Sequence, residues 1–403
     1  TTIVATGGKI VADSSQVGID IISLEEDSAR KLETKRSELG ETVVYNLDRL
    51  GVPLVEVATA PDVRSPEHAK DTALALGRLL RDTRRVRRGL GSIRQDLNVS
   101  IACGDRVEIK GCQDLDWIPR IIRLEMARQL HFYRLANELR SAASLPLLPP
   151  DREMDSKPVE NRVHLAASNR IQLDIHELTE IFSECESEMV LSSLEAGSSV
   201  LGVPLPGFSG HLGKKTTDEN ETQLPRLGRE LASAAKLAGV TGIFHSDELP
   251  AYGISAPEVD SVRSALSLSE QDAFVLCVAP GWQGELALES VVYRARMAFH
   301  RIPQEVRNVV IRKGKPEDGT TTALRPLPGG ARMYPETDIP VLEITPDRWS
   351  SICENLPLTV HERKERLNVL ELSTNQVEAL LNGEIDNLLF QCIEGPLELP
   401  PKA

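Results

Sequence analysis

The chain has 403 residues, a formal net charge of −14, 41% hydrophobic residues and 26% charged residues. That length predicts two or three domains, each with a core of its own. The chain has no run of 18 apolar residues and no charged-then-apolar leader, which argues against a membrane span or secretion signal. Six scattered cysteines, without a CxxC pair or close histidine partners, argue against a zinc knuckle or disulfide scaffold and favour a reducing cytoplasm.

Residues 1–64 predict short strands and turns with one short helix, at Leu24–Leu32, where acidic residues come first and basic residues last. A longer helix is predicted from Ser65, which can cap it, with Pro66 in the first turn and an apolar face that ends near Asp82. A further helix is predicted after Pro119. Its predicted inward residues are Ile122, Met126, Leu130 and Tyr133.

Arginines are concentrated near the end of the first long helix. Between residues 78 and 94 there are seven of them against one acid, at positions 78, 81, 84, 85, 87, 88 and 94. Such a patch could bind phosphates although the whole chain is acidic. Cations also stabilise a helix carboxyl end through the helix dipole, and the two interpretations are compatible.

Two runs after this helix alternate apolar and polar residues. Ser92–Ile101 and Arg106–Lys110 have the period-two pattern of half-buried strands, and the residues between them predict a hairpin. We expect a three-residue loop, with Ser100 opposite Glu108 and Asn98 opposite Lys110.

The polar side of this hairpin would then carry Arg94, Asp96, Asn98, Glu108 and Lys110. Carboxylate and amide oxygens suit a hard cation such as magnesium, and arginine and lysine suit phosphate oxygens. A solvated outer surface with cross-strand ion pairs would show the same pattern.

Residues 141–160 are rich in proline and predict a linker or loop. Beyond them, strands and helices alternate. We expect strands at Ser198–Pro206, Val240–Phe244 and Ala273–Ala279, and helices at Pro225–Ala238, Ala256–Leu266 and Glu285–Arg301. A loop is predicted at Gly314–Arg332, and a helical stretch at Pro357–Leu381.

Several of these segments resemble motifs of one family. Tyr45–Glu56 and Ala60–Glu67 are similar to the central motif of the GatB/GatE amidotransferase subunits. Gly91–Ser100 and Val107–Gly111 resemble the two motifs that follow it, and Arg332–Pro340 resembles the motif that closes the catalytic cradle. Four motifs in the family's order are more specific than any one of them.

The resemblance implies an α+β fold with a GatB/GatE-type cradle. Residues 165–318 look like the α/β domain that GatE proteins share with bacterial-type aspartyl-tRNA synthetases and that GatB proteins lack. The expected organisation is a cradle at 1–164, the inserted domain at 165–318, a return to the cradle at 319–356 and the start of a helical domain at 357–403.

The resemblance also implies a reaction. The family uses ATP, with Mg2+, to phosphorylate the side-chain carboxylate of glutamate mischarged on tRNA(Gln). Ammonia made by a GatD-type amidase partner then displaces the phosphate. Metal and cationic groups would neutralise the charge of this phosphoryl transfer.

Family positions that bind the metal are matched by Glu26 and Glu108. The strand that lines the nucleotide and acyl-phosphate site is matched by Arg94, Asp96 and Asn98, with Lys110 beside it. Glu56 and Arg49 lie in the central motif, as a candidate catalytic residue and a candidate nucleotide-binding residue. Glu26 could instead only favour a helix amino terminus, and Arg49 could hold a loop.

Some features do not fit an intact catalyst. Residues 1–44 lack the family's early Glu-x-His metal motif, and only the beginning of its helical domain and tRNA-binding tail is visible. We therefore expect an internal fragment of a longer subunit. The main alternative is a non-catalytic tRNA-binding scaffold subunit. An aspartyl-tRNA synthetase fragment is a much weaker alternative. His211 and His245, in the inserted segment, are expected to be structural or surface residues.

Overall fold

The computed structural model describes residues 2–37, 40–87, 89, 91–217, 223–312, 318–326, 343–395 and 400. They form two compact units, residues 1–93 with 332–403 and residues 94–331. The strands are β1 (Thr2–Ala12), β2 (Ser15–Glu26), β3 (Arg30–Ser37), β4 (Gly40–Asn46), β5 (Pro53–Thr59), β6 (Gln95–Val99), β7 (Val107–Cys112), β8 (His176–Glu177), β9 (Ser199–Leu205), β10 (Phe244–His245), β11 (Ala273–Ala279), β12 (Glu305–Val309) and β13 (Thr321–Pro326).

The helices complete this mixed α/β architecture. They are α1 (Pro66–Asp82), α2 (Ile118–Ala142), α3 (Lys157–Arg170), α4 (Glu188–Glu195), α5 (Leu227–Lys236), α6 (Ala256–Ala265), α7 (Gly281–Met297), α8 (Pro346–Glu354), α9 (Val360–Asn368), α10 (Thr374–Gly383) and α11 (Asp386–Glu394). Within the described residues, no helix is both long and apolar enough to cross a lipid bilayer.

The first unit contains an antiparallel sheet in the order β1-β2-β5 and the hairpin β3-β4. The helix predicted at Leu24–Leu32 is wrong, because this segment contains the end of β2 and the start of β3. Backbone pairing of Glu26 with Pro53, on β5, outweighs the weak preference of the charge order for a helix. The prediction of α1 is confirmed, and the Ser65 hydroxyl accepts from the His68 amide at 3.1 Å.

The C-terminal helices of this unit pack around Leu367, Val377 and Phe390. The helical stretch predicted at Pro357–Leu381 is two helices, α9 and α10. Arg363, on α9, joins them to the end of α1: it donates to Asp82 at 3.1 Å and to both carboxylate oxygens of Asp386 at 2.6 and 2.9 Å. This network anchors the helices to α1.

The second unit contains two four-stranded sheets, in the orders β10-β11-β9-β8 and β13-β12-β7-β6. The strand predicted at Ala273–Ala279 is confirmed as β11. Alternate side chains of β11 meet a core cluster with Phe182 and Val262, while α7 packs along β9 and β11. Being covered by side chains on both faces explains its continuous apolar run.

The second sheet is mixed, because β12 runs parallel to β7 and antiparallel to β13. β12 comes from within the predicted 165–318 segment, whose boundaries stay a prediction. The predicted loop at Gly314–Arg332 contains β13, and its other residues lie partly outside the described part of the chain. In place of the short strand predicted at Val240–Phe244, the structure has only the two-residue strand β10, which begins at Phe244.

Helix α2 packs against β6 of this sheet, but the predicted inward face is wrong. Met126 is exposed, and the buried positions include Glu125, Arg128 and Gln129. Charged side chains share the buried face because they are paired there, so they interrupt the apolar periodicity that marks a buried helix face.

These charges belong to a buried cluster of three arginines and three glutamates. Its members are Glu125, Arg128, Glu230, Arg294, Glu305 and Arg307. Arg128 contacts all three glutamates at 2.8–3.2 Å, and Arg307 contacts Glu305 at 2.7 Å and Glu230 at 3.0 Å. Burial opposes charging of each group, but the opposite charges outweigh it: the pKa of Glu230 is lowered and that of Arg128 is raised.

The predicted linker at residues 141–160 is a packed loop followed by the start of α3. Arg140 donates to the carbonyls of Phe299 and Pro146 at 2.6 and 2.9 Å and to the Glu160 carboxylate at 2.9 and 3.0 Å. His300 lies 2.8 Å from the same carboxylate. Buried cationic partners can hold a proline-rich segment in place, and composition does not reveal them.

Replacing Arg307 with methionine tests the buried cluster. The change leaves Glu230 and Glu305 short of a cation in a water-excluded site, so we expect the free energy of unfolding to fall by about 3–5 kcal/mol. Urea unfolding of the variant measures this loss. The exposed Arg162→Met serves as the matched control and should change stability by less than about 0.5 kcal/mol. An equally small loss for Arg307→Met would contradict the cluster's role.

Glu160→Gln tests the packed loop through its pH dependence. Burial alone would raise the pKa of Glu160, but His300 and Arg140 lower it from 4.5 to about 2. The carboxylate's contribution is therefore present above pH 4.5 and lost as pH falls through about 2. Thermal unfolding should show Glu160→Gln less stable than wild type by about 2–3 kcal/mol at pH 6, with the gap closing toward pH 2. The exposed Glu289→Gln should show no such gap.

Candidate active-site face on the β6–β7 hairpin

The β6–β7 hairpin has one buried and one polar side. Val99 pairs with Val107 and Leu97 with Ile109, and these apolar residues share the buried side as predicted. The predicted register is wrong: Asn98 lies opposite Glu108, and not opposite Lys110. Directly opposed residues of an antiparallel pair project from the same side, so Asn98 and Glu108 are neighbours.

The register differs because the connection is longer than the three residues predicted. β6 ends at Val99, and residues 100–106 connect it to β7. Ile101, predicted as a strand residue, donates its amide to the Gln129 side chain at 3.2 Å instead of continuing the strand ladder. A buried side chain from α2 therefore ends the strand.

Lys110 joins the charges of the polar side. Its ammonium group contacts the carboxylates of Asp96 and Glu108, the latter at 2.5 Å. Burial would lower the pKa of Lys110, but the hydrogen bonds and charges of the two carboxylates raise it above 10.5. The structure thus brings together four of the predicted site residues: Asp96, Asn98, Glu108 and Lys110.

Two more side chains adjoin this group. Arg94 precedes β6 by one residue and is exposed. On the other side, the parallel pairing of β12 with β7 places the exposed Asn308 beside Lys110. Asn308 was not among the predicted site residues, because it is almost 200 positions away and no sequence pattern predicts that β12 pairs with β7.

The remaining predicted site residues belong to the first unit. In the β2–β5 pairing, Glu26 lies opposite Pro53 and Glu56 opposite Ser23. Side chains alternate along a strand, so Glu26 and Glu56 project from opposite faces of this sheet. The guanidinium of Arg49 lies 3.5 Å from the carboxylate of Asp27, next to Glu26. That these residues converge with the hairpin stays a prediction.

Donors for a metal are few in the described part of the chain. Within it, no group of three or more histidine, cysteine, aspartate or glutamate side chains could hold one ion. The hairpin nevertheless offers the carboxylates of Asp96 and Glu108 with the Asn98 amide oxygen, all hard oxygen donors. Mg2+ is commonly held by one or two carboxylates together with substrate phosphates, and these donors are of that type, but Lys110 engages both carboxylates in this structure.

Two arginines of the arginine-rich segment have structural roles at the end of α1. Arg81 lies in the last turn of α1, where the helix dipole favours a cation. Arg84 donates to Asp386 at 2.7 Å, within the network of Arg363. Arg88 and the predicted closing motif, Arg332–Pro340, lie outside the described residues.

His211 and His245, two of the four histidines of the inserted segment, lie near Asp247. This carboxylate accepts from the amides of Gly210, Leu212 and Gly213 at 2.8–3.0 Å. His245 is buried, and burial lowers its pKa; burial also lowers the pKa of the half-buried His211. That these histidines are structural or surface residues stays a prediction.

Comparison with known proteins defines the class to which this fold and polar face belong. The family model of the GatB/GatE catalytic domain matches residues 1–350. The chain therefore belongs to the GatB/GatE family.

Relatives within the family include the GatE proteins, the E subunits of archaeal glutamyl-tRNA(Gln) amidotransferases. The chain is 42% identical to that of Pyrococcus furiosus over 98% of its own length and 57% of the relative's. It is 41% identical to those of Methanocaldococcus jannaschii and Methanopyrus kandleri, over 91% of its own length and 52% of each relative's. The chain thus spans little more than half the length of these relatives.

Replacing Lys110 with methionine removes the cation shared by Asp96 and Glu108. Because the group is partly exposed, we expect a loss of only about 0.5–1 kcal/mol in the free energy of unfolding. A raised pKa means that this contribution is complete below pH 10.5 and is lost as pH rises through the higher folded-state value. Chemical unfolding between pH 7 and 11 should show the gap narrowing only above pH 10.5, whereas the exposed Lys157→Met should show no gap.

Proposed function

We propose that this chain is the carboxylate-activating part of a tRNA-dependent amidotransferase subunit. Its substrate would be glutamate esterified to tRNA(Gln), its phosphoryl donor ATP with Mg2+, and its partner a GatD-type amidase that supplies ammonia. The main support is the polar face of the β6–β7 hairpin, where Asp96, Asn98, Glu108 and Lys110 converge. Family membership and the names of the archaeal relatives support the same reaction.

The proposed chemistry has two steps. An oxygen of the glutamyl side-chain carboxylate attacks the γ-phosphorus of ATP, the bond to the β–γ bridging oxygen breaks, and ADP leaves. Ammonia then adds to the activated carbonyl carbon, the bond to the phosphate oxygen breaks, and phosphate leaves as the nitrogen loses a proton. The product is glutamine esterified to tRNA(Gln).

Each residue of the face has a role that its chemistry suits. Asp96 and Asn98 would line the nucleotide and acyl-phosphate site, and Glu108 and Glu26 would hold Mg2+. Bound there, Mg2+ would neutralise negative charge on the phosphates. Lys110 and Arg94 would orient phosphate oxygens through charge-assisted hydrogen bonds. In the family's central motif, Arg49 is proposed to contact the nucleotide and Glu56 to assist catalysis.

The pairing of Lys110 with both carboxylates also supports a second candidate function. A face whose carboxylates are neutralised by its own lysine is what a solvated outer surface would show. In that case the chain would be a tRNA-binding scaffold that keeps the cradle fold without catalysis. Nucleotide affinity separates the two, because the scaffold has no need to bind ATP.

The decisive experiment uses the full-length subunit with its amidase partner. The complex is given ATP, Mg2+, an amide donor and Glu-tRNA(Gln), and aminoacyl-tRNA products are separated after nuclease digestion. ATP-dependent appearance of Gln-tRNA(Gln) is the expected result. If none forms and equilibrium dialysis shows no ATP binding, the scaffold function replaces the proposal.

Glu108→Ala in the full-length subunit tests the site assignment. Loss of one carboxylate from the proposed metal ligands should lower the rate of phosphorylation at least about 100-fold. Binding of tRNA, measured by filter retention, should be unchanged. The exposed Glu285→Ala, on α7, is the matched control and should keep full activity. Retention of activity by Glu108→Ala would place the catalytic face elsewhere.

A further inference from the structure

Gln129, on α2, is fully buried directly beneath the hairpin. Its side-chain amide nitrogen donates to the Val99 carbonyl at 3.1 Å, and its oxygen accepts from the Ile101 amide at 3.2 Å. One side chain therefore satisfies both backbone groups at the point where the β6–β7 ladder stops. An unpaired backbone group at this depth would carry a desolvation penalty, so the contact defines where β6 ends.

The loop at residues 100–106 packs closely against this amide. A Cβ placed on Gly104 would lie 2.0 Å from Gln129 Oε1 and 2.9 Å from its Cδ. A side chain other than hydrogen at position 104 would push the amide away from Val99 and Ile101. The absence of a side chain at position 104 therefore allows the loop backbone to pack against Gln129.

The amide is also held from the other side. Gln129 Nε2 donates to Glu125 Oε1 at 3.1 Å, and the same carboxylate accepts from Arg128 at 2.8 and 3.0 Å. A carboxylate can only accept from the amide, so the NH2 group faces Glu125 and Val99 and the oxygen faces Ile101. The buried charge cluster therefore sets the orientation of Gln129.

We propose that Gln129 is a positioning residue for the reaction proposed above, on which this inference rests. It does not reach the polar face. By ending β6 at Val99 it sets the register in which Asn98 lies opposite Glu108. Loss of the amide lets the end of β6 shift, and the oxygen donors of the polar face move relative to Lys110.

Gln129→Met, of similar volume but without hydrogen-bonding groups, tests the inference in the full-length subunit with its amidase partner. We expect kcat for Gln-tRNA formation to fall about 10- to 100-fold, because displacing catalytic groups by about 1 Å costs about that much. The KM for ATP should stay within about twofold. Amide hydrogen exchange at Ile101 should become faster, since its acceptor is gone.

Gly104→Ala disturbs the same contact from the loop and leaves the sequence of α2 unchanged. It therefore tests the inference even if Gln129→Met folds poorly. It should reproduce the fall in kcat and the faster exchange of Ile101. Because both changes displace one amide, the double variant should lose no more activity than the worse single variant. The exposed Gln172→Met is the control and should behave as wild type.

The outcomes separate the two proposals. If the wild-type complex makes no Gln-tRNA, the proposed function fails and the inference falls with it. If wild type is active and both variants keep its kcat, the inference alone is wrong. A fall in activity that matches the loss of ATP-binding sites, with kcat per bound site unchanged, would show a purely structural role and also overturn it.

Discussion

Six buried charges are the constraint on which the second unit depends. Three guanidinium groups and three carboxylates, from α2, α5, α7 and β12, sum to zero net charge within hydrogen-bonding distance of one another. Such a group is tolerable only when every member is present, because one missing partner leaves an uncompensated charge in the interior. The cluster therefore favours a relative placement of these four elements in which all six side chains are paired.

Helix α2 connects the charge cluster to the rest of the second unit. Toward its middle, Glu125 orients Gln129, and Gln129 ends β6. At its C-terminal end, Arg140 holds the proline-rich loop and Glu160. One helix thus connects the charge cluster to the hairpin and to the packed loop through hydrogen bonds that leave few buried polar groups unpaired. The geometry of the hairpin's polar face therefore depends on this interior.

That face carries carboxylate and amide oxygens of the kind that hard cations take, together with a lysine that pairs with both carboxylates. Lys110 lies between the carboxylates of Asp96 and Glu108 and contacts both. The neighbouring β12 adds Asn308, which extends the polar surface beyond the hairpin. The chain belongs to the GatB/GatE family, and the candidates Glu26, Arg49 and Glu56 lie in the first unit, on its own sheet and loop.

Local pattern alone determined a good part of this protein. The potential cap at Ser65 predicted the start of α1, and apolar runs predicted β9 and β11. Alternation predicted the two strands of the hairpin with their polar residues. Tertiary structure decided the rest. The register of Asn98 opposite Glu108, the charged inward face of α2 and the partnership of Asn308 with Lys110 all depend on residues far apart in the chain. Periodicity reports which side of an element is apolar, but a buried charge looks exposed until its partners are known, because only their proximity makes its burial tolerable.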